Sequence, residues 1–103
     1  MLHRFYVGIG NQSQGDSTIL DKNRLATLNI ATTFFGGATL LPTARGAWLD
    51  GPEVTIEAVD IYEVYTAPDH PYLARFHAHL KARFDQKEVF WLSTHATRRA
   101  DHD

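Results

Sequence analysis

The order in which the hydrophobic periodicities change constrains this chain more than any single residue does. Two stretches with apolar residues at helical spacing each lie between strand-like runs. His3 to Ile9 is the first such run, with Phe5, Tyr6, Val7 and Ile9 as strong strand formers. A helix follows from about Asp21 to Phe35, on the stripe Leu25, Leu28, Ala31, Thr32 and Phe35. Asp21 can cap it, with Thr18 as a competing start, and Gly36-Gly37 supplies the left-handed stop. Ala38 to Leu49 and Glu53 to Thr66 read as a second and third strand, joined at Asp50-Gly51, a hairpin signal. Pro42 makes the second strand an edge strand or one with a bulge there.

In the third strand, Val54, Ile56 and Ala58 share one face, while Val59 and Ile61 fall on the other. That change of phase requires a bulge near Ala58 to Asp60 or burial of both faces in an assembly. A second helix begins around Pro68-Asp69-His70-Pro71, with Asp69 or His70 as its cap. It runs on Leu73, Phe76, Leu80 and Phe84. Val89 to Thr94 is the last strand. The polar end from Ala96 to Asp103 is expected to fray, leaving residues 1–95 as one α+β domain.

This β-α-β-β-α-β order is the split β-α-β plan. It predicts a four-stranded antiparallel sheet in spatial order 4-1-3-2 with both helices on one face. The other face then needs a cover. Trp48, Tyr62, Phe90 and Trp91 are the candidates to lie on it, and an exposed apolar face on so small a chain predicts a homo-oligomer.

Composition narrows the chemistry. The 103 residues carry ten basic and twelve acidic side chains, a net charge of -2. Only Arg98-Arg99 are adjacent bases, so general nucleic-acid binding is not expected. The absence of cysteine removes disulfides, thiolate metal sites and a thiol nucleophile. No apolar run reaches the about 20 residues needed to span a bilayer. Met1 to Arg4 leads into a strand-like run rather than a signal-peptide core, so a cytoplasmic protein without a membrane partner is expected.

The short runs Tyr6-Val7-Gly8-Ile9-Gly10-Asn11, Phe34-Phe35-Gly36-Gly37-Ala38-Thr39 and Ala44-Arg45-Gly46-Ala47-Trp48 precede an acidic strand from Glu53. Over residues 5–65 this pattern resembles small uncharacterised phage and bacterial proteins of ferredoxin-like or PII-like plan. The resemblance implies a ferredoxin-like fold and oligomerisation, and it carries over no catalytic residue. PII-like proteins bind nucleotides between subunits, and some small phage proteins sequester nucleotide signals of host immunity.

Among candidate site residues, the loop from Gly8 to Ser17 is the sharpest. Gly8, Gly10 and Gly15 let backbone N–H groups turn toward an anion, and Asn11, Gln12, Ser13 and Gln14 add polar contacts. It is not a P-loop, because no Gly-Lys-Ser/Thr follows and Asp16 has the wrong charge. Arg45 offers a planar fork for phosphate and Trp48 a stacking face for a base. His70, after the third strand, is expected at the same sheet end as the glycine loop.

His77 and His79 point about 200° apart on a helix, and His3 with His95 gives two ligands without a third, so no metal is expected. Glu57, Asp60 and Glu63 read as solvated or interface charge. No Ser-His-Asp signature is present, so no catalytic residue is assigned and no cofactor is implied. The leading expectation is a non-enzymatic oligomer that senses or sequesters a small anionic ligand, such as a nucleotide. A dimeric α+β-barrel enzyme and a protein-binding inhibitor are the alternatives.

Overall fold

The computed structural model describes residues 1–10 and 17–95. The expected fraying of residues 96–103 lies outside them. Six elements follow in the order β1 (Leu2–Gly8), α1 (Ser17–Phe35), β2 (Thr39–Asp50), β3 (Glu53–Tyr65), α2 (Leu73–Arg83) and β4 (Phe90–Thr94). The strands form a four-stranded sheet in the order β2-β3-β1-β4, with every neighbouring pair antiparallel. The class is therefore α+β.

β2 is an edge strand and also irregular at its proline. Leu41 pairs with Ile61 and Ala44 with Val59, so residues 42 and 43 face the single residue Asp60. This is the two-against-one count of a bulge. The phase change expected in β3 has a different origin from the one anticipated. β3 itself runs in unbroken register with β1 from Val59 to Tyr65. Val54 and Ile56 lie beyond that paired stretch, in a two-stranded ribbon with β2 that projects past β1, and both are exposed. Gly51 turns the ribbon with a positive φ of 62°, a conformation that costs glycine little.

The core lies between sheet and helices. Phe5 and Val7 of β1 and Tyr62 and Val64 of β3 point into it, against Leu73, Phe76 and Leu80 of α2 and Leu20 and Ala31 of α1. The stripe expected on α2 is the buried one. The stripe expected on α1 is met only in part: Ala31 is buried and Leu28 and Phe35 pack against the core, but Leu25 is 62% exposed and Thr32 is exposed, and Leu20 and Thr27 are buried in their stead. The helix begins at Ser17, four residues before Asp21.

The rotation of α1 has a polar cause. Asp60 is completely buried on the helix side of β3, and Arg24 turns inward to meet it. Arg24 Nε donates to Asp60 Oδ2 at 2.6 Å and Nη2 to Oδ1 at 3.0 Å. A fully buried carboxylate needs such a partner. Leu25, the next residue along the helix, is thereby turned outward.

At the start of α2, neither Asp69 nor His70 is the N-cap. Two successive turns, His70 N–H to Ala67 C=O and Leu73 N–H to His70 C=O, delay the helix, and Tyr72 occupies the cap position. Its end is a Schellman arrangement. Gln86 N–H reaches Lys81 C=O at 2.9 Å, and Asp85 sits at φ 52° where glycine is usual.

Of the aromatic residues expected on the helix-free face, Trp48 and Phe90 lie there. Tyr62 and Trp91 do not: Tyr62 pairs across from Phe5 in the core, and Trp91 packs on Phe5 and on His77 of α2. Tyr6, Leu41 and Leu92 join Trp48 and Phe90, so the helix-free face presents an apolar surface around the Arg4–Glu63 ion pair.

Two histidines, His3 and His79, are built into the packing between sheet and helices. His3 is buried. Trp91 Nε1–H donates to its Nδ1 at 3.3 Å, and Ser93 Oγ lies 2.7 Å from the same nitrogen. Burial lowers the pKa of His3, and burial with the charge of Arg83 lowers that of His79. The unfolded chain therefore takes up protons near the ordinary value of about 6.5 while the native state resists them. The unfolded state binds more protons, so stability must fall as the pH drops through that value toward the lowered native ones. Urea titrations from pH 8 to 5 should show this loss, and His79→Gln should flatten it. An unchanged slope in that variant would assign the effect elsewhere.

Candidate functional site

The glycines of the first turn do not stand free. Gly8 ends β1 opposite Val59, and Ile9 N–H donates to Ala58 C=O at 2.9 Å, which brings Gly10 alongside Glu57. A Cβ on Gly8 would lie 2.5 Å from Glu57 Oε1, and one on Gly10 would lie 3.1 Å from Glu57 Oε2. The two glycines thus clear room for a carboxylate, a close approach that side chains would block.

Glu57 in turn accepts a hydrogen bond from Trp48 Nε1–H at 2.8 Å. The indole can reach it because Gly46, two residues earlier in β2, has no side chain. A Cβ there would lie 2.6 Å from the ring. Trp48 consequently lies down across the sheet, covers Val59 and faces Phe90 of β4 at 6.3 Å with 26° between the ring planes.

These residues line a cleft of about 740 Å³. Tyr6, Gly8 and Glu57 form its floor, Trp48 and Leu49 of the ribbon one side, and Phe90 with residues 85–88 the other. The Schellman end of α2 sets the position of that last segment. Glu57, Asp85 and Glu88 bring three carboxylates to the cleft against one ammonium, from Lys87. The volume suits a small organic ligand. The chemistry offered is two aromatic faces, a phenol and an excess of negative charge.

Of the residues expected to bind ligand, Gly8 and Trp48 are brought together here, with Gly10 adjoining through Glu57. Asn11, Gln12 and Ser13 lie outside the described residues. Arg45 does not reach the cleft within one chain. The register is regular from Ala44 to Asp50, so Arg45 points to the opposite face from Gly46 and Trp48, and it is exposed.

His70 stands at the wrong end of the sheet. β3 finishes at Tyr65 beside Leu2, six residues or about 20 Å of strand from the Gly8–Val59 pair. His70 instead accepts from Tyr72 N–H through its Nδ1 and packs on Phe35. Antiparallel pairing decides this, because β3 runs back to where β1 began. From sequence Glu57 reads only as solvated or interface charge. The available signal was the pair of glycines two residues apart, which an antiparallel β1–β3 register sets opposite residues 57–59.

No protein-family model matches this sequence, nor does any curated protein. Solved structures share the fold. A phage SAM lyase in complex with S-methyl-5'-thioadenosine matches with a TM-score of 0.61 at 15% identity, over 87% of this chain and 76% of that one. CutA1 from Oryza sativa matches with a TM-score of 0.60 at 13% identity, over 94% of this chain and 83% of the other. The phage side of the sequence resemblance thus has a structural counterpart, and the PII-like side finds none in these two. At these identities the chain is similar to both in its α+β fold.

Proposed function

We propose that the protein is an oligomeric small-molecule-binding protein that holds a nucleoside-type ligand in the Trp48–Glu57 cleft, for sensing or sequestration. The observation that carries this is Trp48 laid across Gly46 with its N–H on Glu57, opposite Phe90. An aromatic face supports a base by stacking, and a carboxylate accepts from ribose hydroxyls or an amine. The phage SAM lyase, which carries a thioether nucleoside in a fold of this kind, supports the ligand class.

The charge of the cleft favours a nucleoside over a phosphorylated nucleotide. A phosphate would meet three carboxylates and one lysine. The anionic ligand expected from sequence needs added positive charge, which Arg45 brings only from a neighbouring copy. The apolar helix-free face supports such an assembly. A second reading, a lyase acting on a sulfonium nucleoside, draws on the same Glu57, because a carboxylate flanked by aromatic rings favours a cation.

Calorimetric titration with S-methyl-5'-thioadenosine, adenosine and AMP tests the site. The two nucleosides should bind more tightly than AMP. Trp48→Ala should weaken nucleoside binding by about 1–3 kcal/mol, the scale of lost base stacking. Glu57→Gln should weaken it by about 1.5–3 kcal/mol, the scale of a hydrogen bond to a charged group. No binding, or binding indifferent to both variants, would reject the cleft. Release of cleavage products from S-adenosylmethionine would replace the binding role with the lyase. Sedimentation at micromolar concentration tests the assembly, and a monodisperse monomer would remove it.

A further inference from the structure

On the outer surface, away from the sheet, α1 and α2 leave a groove of about 380 Å³ between them, lined by Asn29, Ile30, Thr33, Phe34, Arg75 and His79. It has no part in the cleft described above. Its lining contains no carboxylate, in a molecule whose acidic residues outnumber its basic ones. α2 carries Arg75, Lys81 and Arg83 and no acidic residue at all.

Arg75 is the feature of interest. Among the described residues no carboxylate pairs with it, whereas Arg4 and Arg24 both have acidic partners. Two aromatic rings hold it instead. Its guanidinium carbon lies 5.5 Å from the centre of Phe34 and 5.2 Å from that of Tyr72, and those two rings pack at 4.7 Å. Rings that support a guanidinium through its face leave its N–H edges free. The side chain is thus ordered without its hydrogen-bonding capacity being used, the state in which a bidentate oxyanion contact loses least entropy. Phe34 and Ile30 give the groove an apolar wall beside this charge, and the Asn29 side chain can add an amide donor.

We propose that the Arg75 groove is a second binding site, specific for a carboxylate attached to an apolar body. The carboxylate takes the free edge of Arg75, and the body lies on Phe34 and Ile30. The same chemistry is offered by a small aryl or alkyl carboxylic acid and by an acidic side chain of a peptide from a partner protein. An aromatic acid uses the apolar wall more fully than acetate does, so benzoate should bind more tightly than acetate.

Amide-resolved NMR titration of the whole protein with sodium benzoate, sodium acetate and a short peptide with one glutamate beside a leucine reads this directly. Shifts should saturate for residues 29–34 and 72–79, and benzoate should bind at least tenfold more tightly than acetate. Arg75→Gln should weaken benzoate binding at least tenfold, Arg75→Lys should recover only part of it, and Lys87→Gln, in the other cleft, should leave it unchanged. Tighter binding of the peptide than of benzoate assigns the groove to a protein partner, and the reverse order to a small acid. Arg75 is exposed, so its variants should fold, and unshifted amides outside the groove check this. Failure of both benzoate and the peptide to saturate, or equal benzoate affinity in Arg75→Gln, overturns the site whatever the nucleoside titrations show.

Discussion

Replacing Arg24 by alanine should destabilise the protein by about 3–5 kcal/mol, the cost of breaking a buried ion pair and stranding one charge. The stranded charge is Asp60, which has no exposed surface and sits between the sheet and α1. Arg24 supplies two hydrogen bonds to it, at 2.6 and 3.0 Å. The reverse replacement, Asp60→Ala, should cost less. The Arg24 side chain keeps 20% of its surface exposed and already reaches Asp21 Oδ1 at 3.5 Å, so it can turn toward water.

The pair also acts on Tyr62, whose pKa is raised first by burial and then by the negative charge of Asp60. Arg24→Met with Asp60→Leu should recover most of the lost stability, because well-packed apolar replacements of buried ion pairs are often neutral or better. Urea unfolding of the three variants decides this. Equal losses for Arg24→Ala and Asp60→Ala would mean that the carboxylate is hydrated in solution.

The same ion pair explains why the buried face of one helix is readable from sequence in full and that of the other only in part. On α2 every position of the stripe Leu73, Phe76, Leu80 and Phe84 faces the sheet, so hydrophobic spacing and burial coincide. On α1 the inward face includes Arg24 and Thr27, and the leucine at 25 is left in solvent. Periodicity reports only where apolar residues recur, and a buried charge pair inverts its meaning locally.

The site divides in the same way. Gly8, Gly10 and Trp48 were visible as a glycine-rich turn and a lone indole. Their common partner Glu57 was not, because it lies some fifty residues from the turn and only the β1–β3 register brings it there. His70 was misplaced for want of strand direction. Arg45 was drawn to Trp48 by nearness in sequence, although an odd spacing on a regular strand sets the two on opposite faces.

Phe76→Ala should be the most damaging truncation in the apolar core, at about 3–5 kcal/mol. The ring is completely buried and is the meeting point of three elements. Phe5 of β1 meets it edge-on at 5.1 Å, Phe35 of α1 at 5.6 Å and Tyr62 of β3 at 6.4 Å, with ring planes 83–86° apart. His79 stacks beside it on α2. Such edge-to-face pairs are each worth about 0.5–1.5 kcal/mol beyond the area they bury, so the loss should sit near the top of the range. The rings around the vacancy belong to different elements and cannot close it without moving a helix off the sheet. Lys81→Ala on the same helix should change stability by no more than about 0.5 kcal/mol, as surface replacements do. In a domain of this size each kcal/mol moves Tm by about 4–8 °C, so thermal unfolding separates the two variants easily. Phe76→Leu should fall between them, since it restores volume without the aromatic contacts. If Phe76→Ala melts within a few degrees of Lys81→Ala, α2 does not pack on the sheet through this residue.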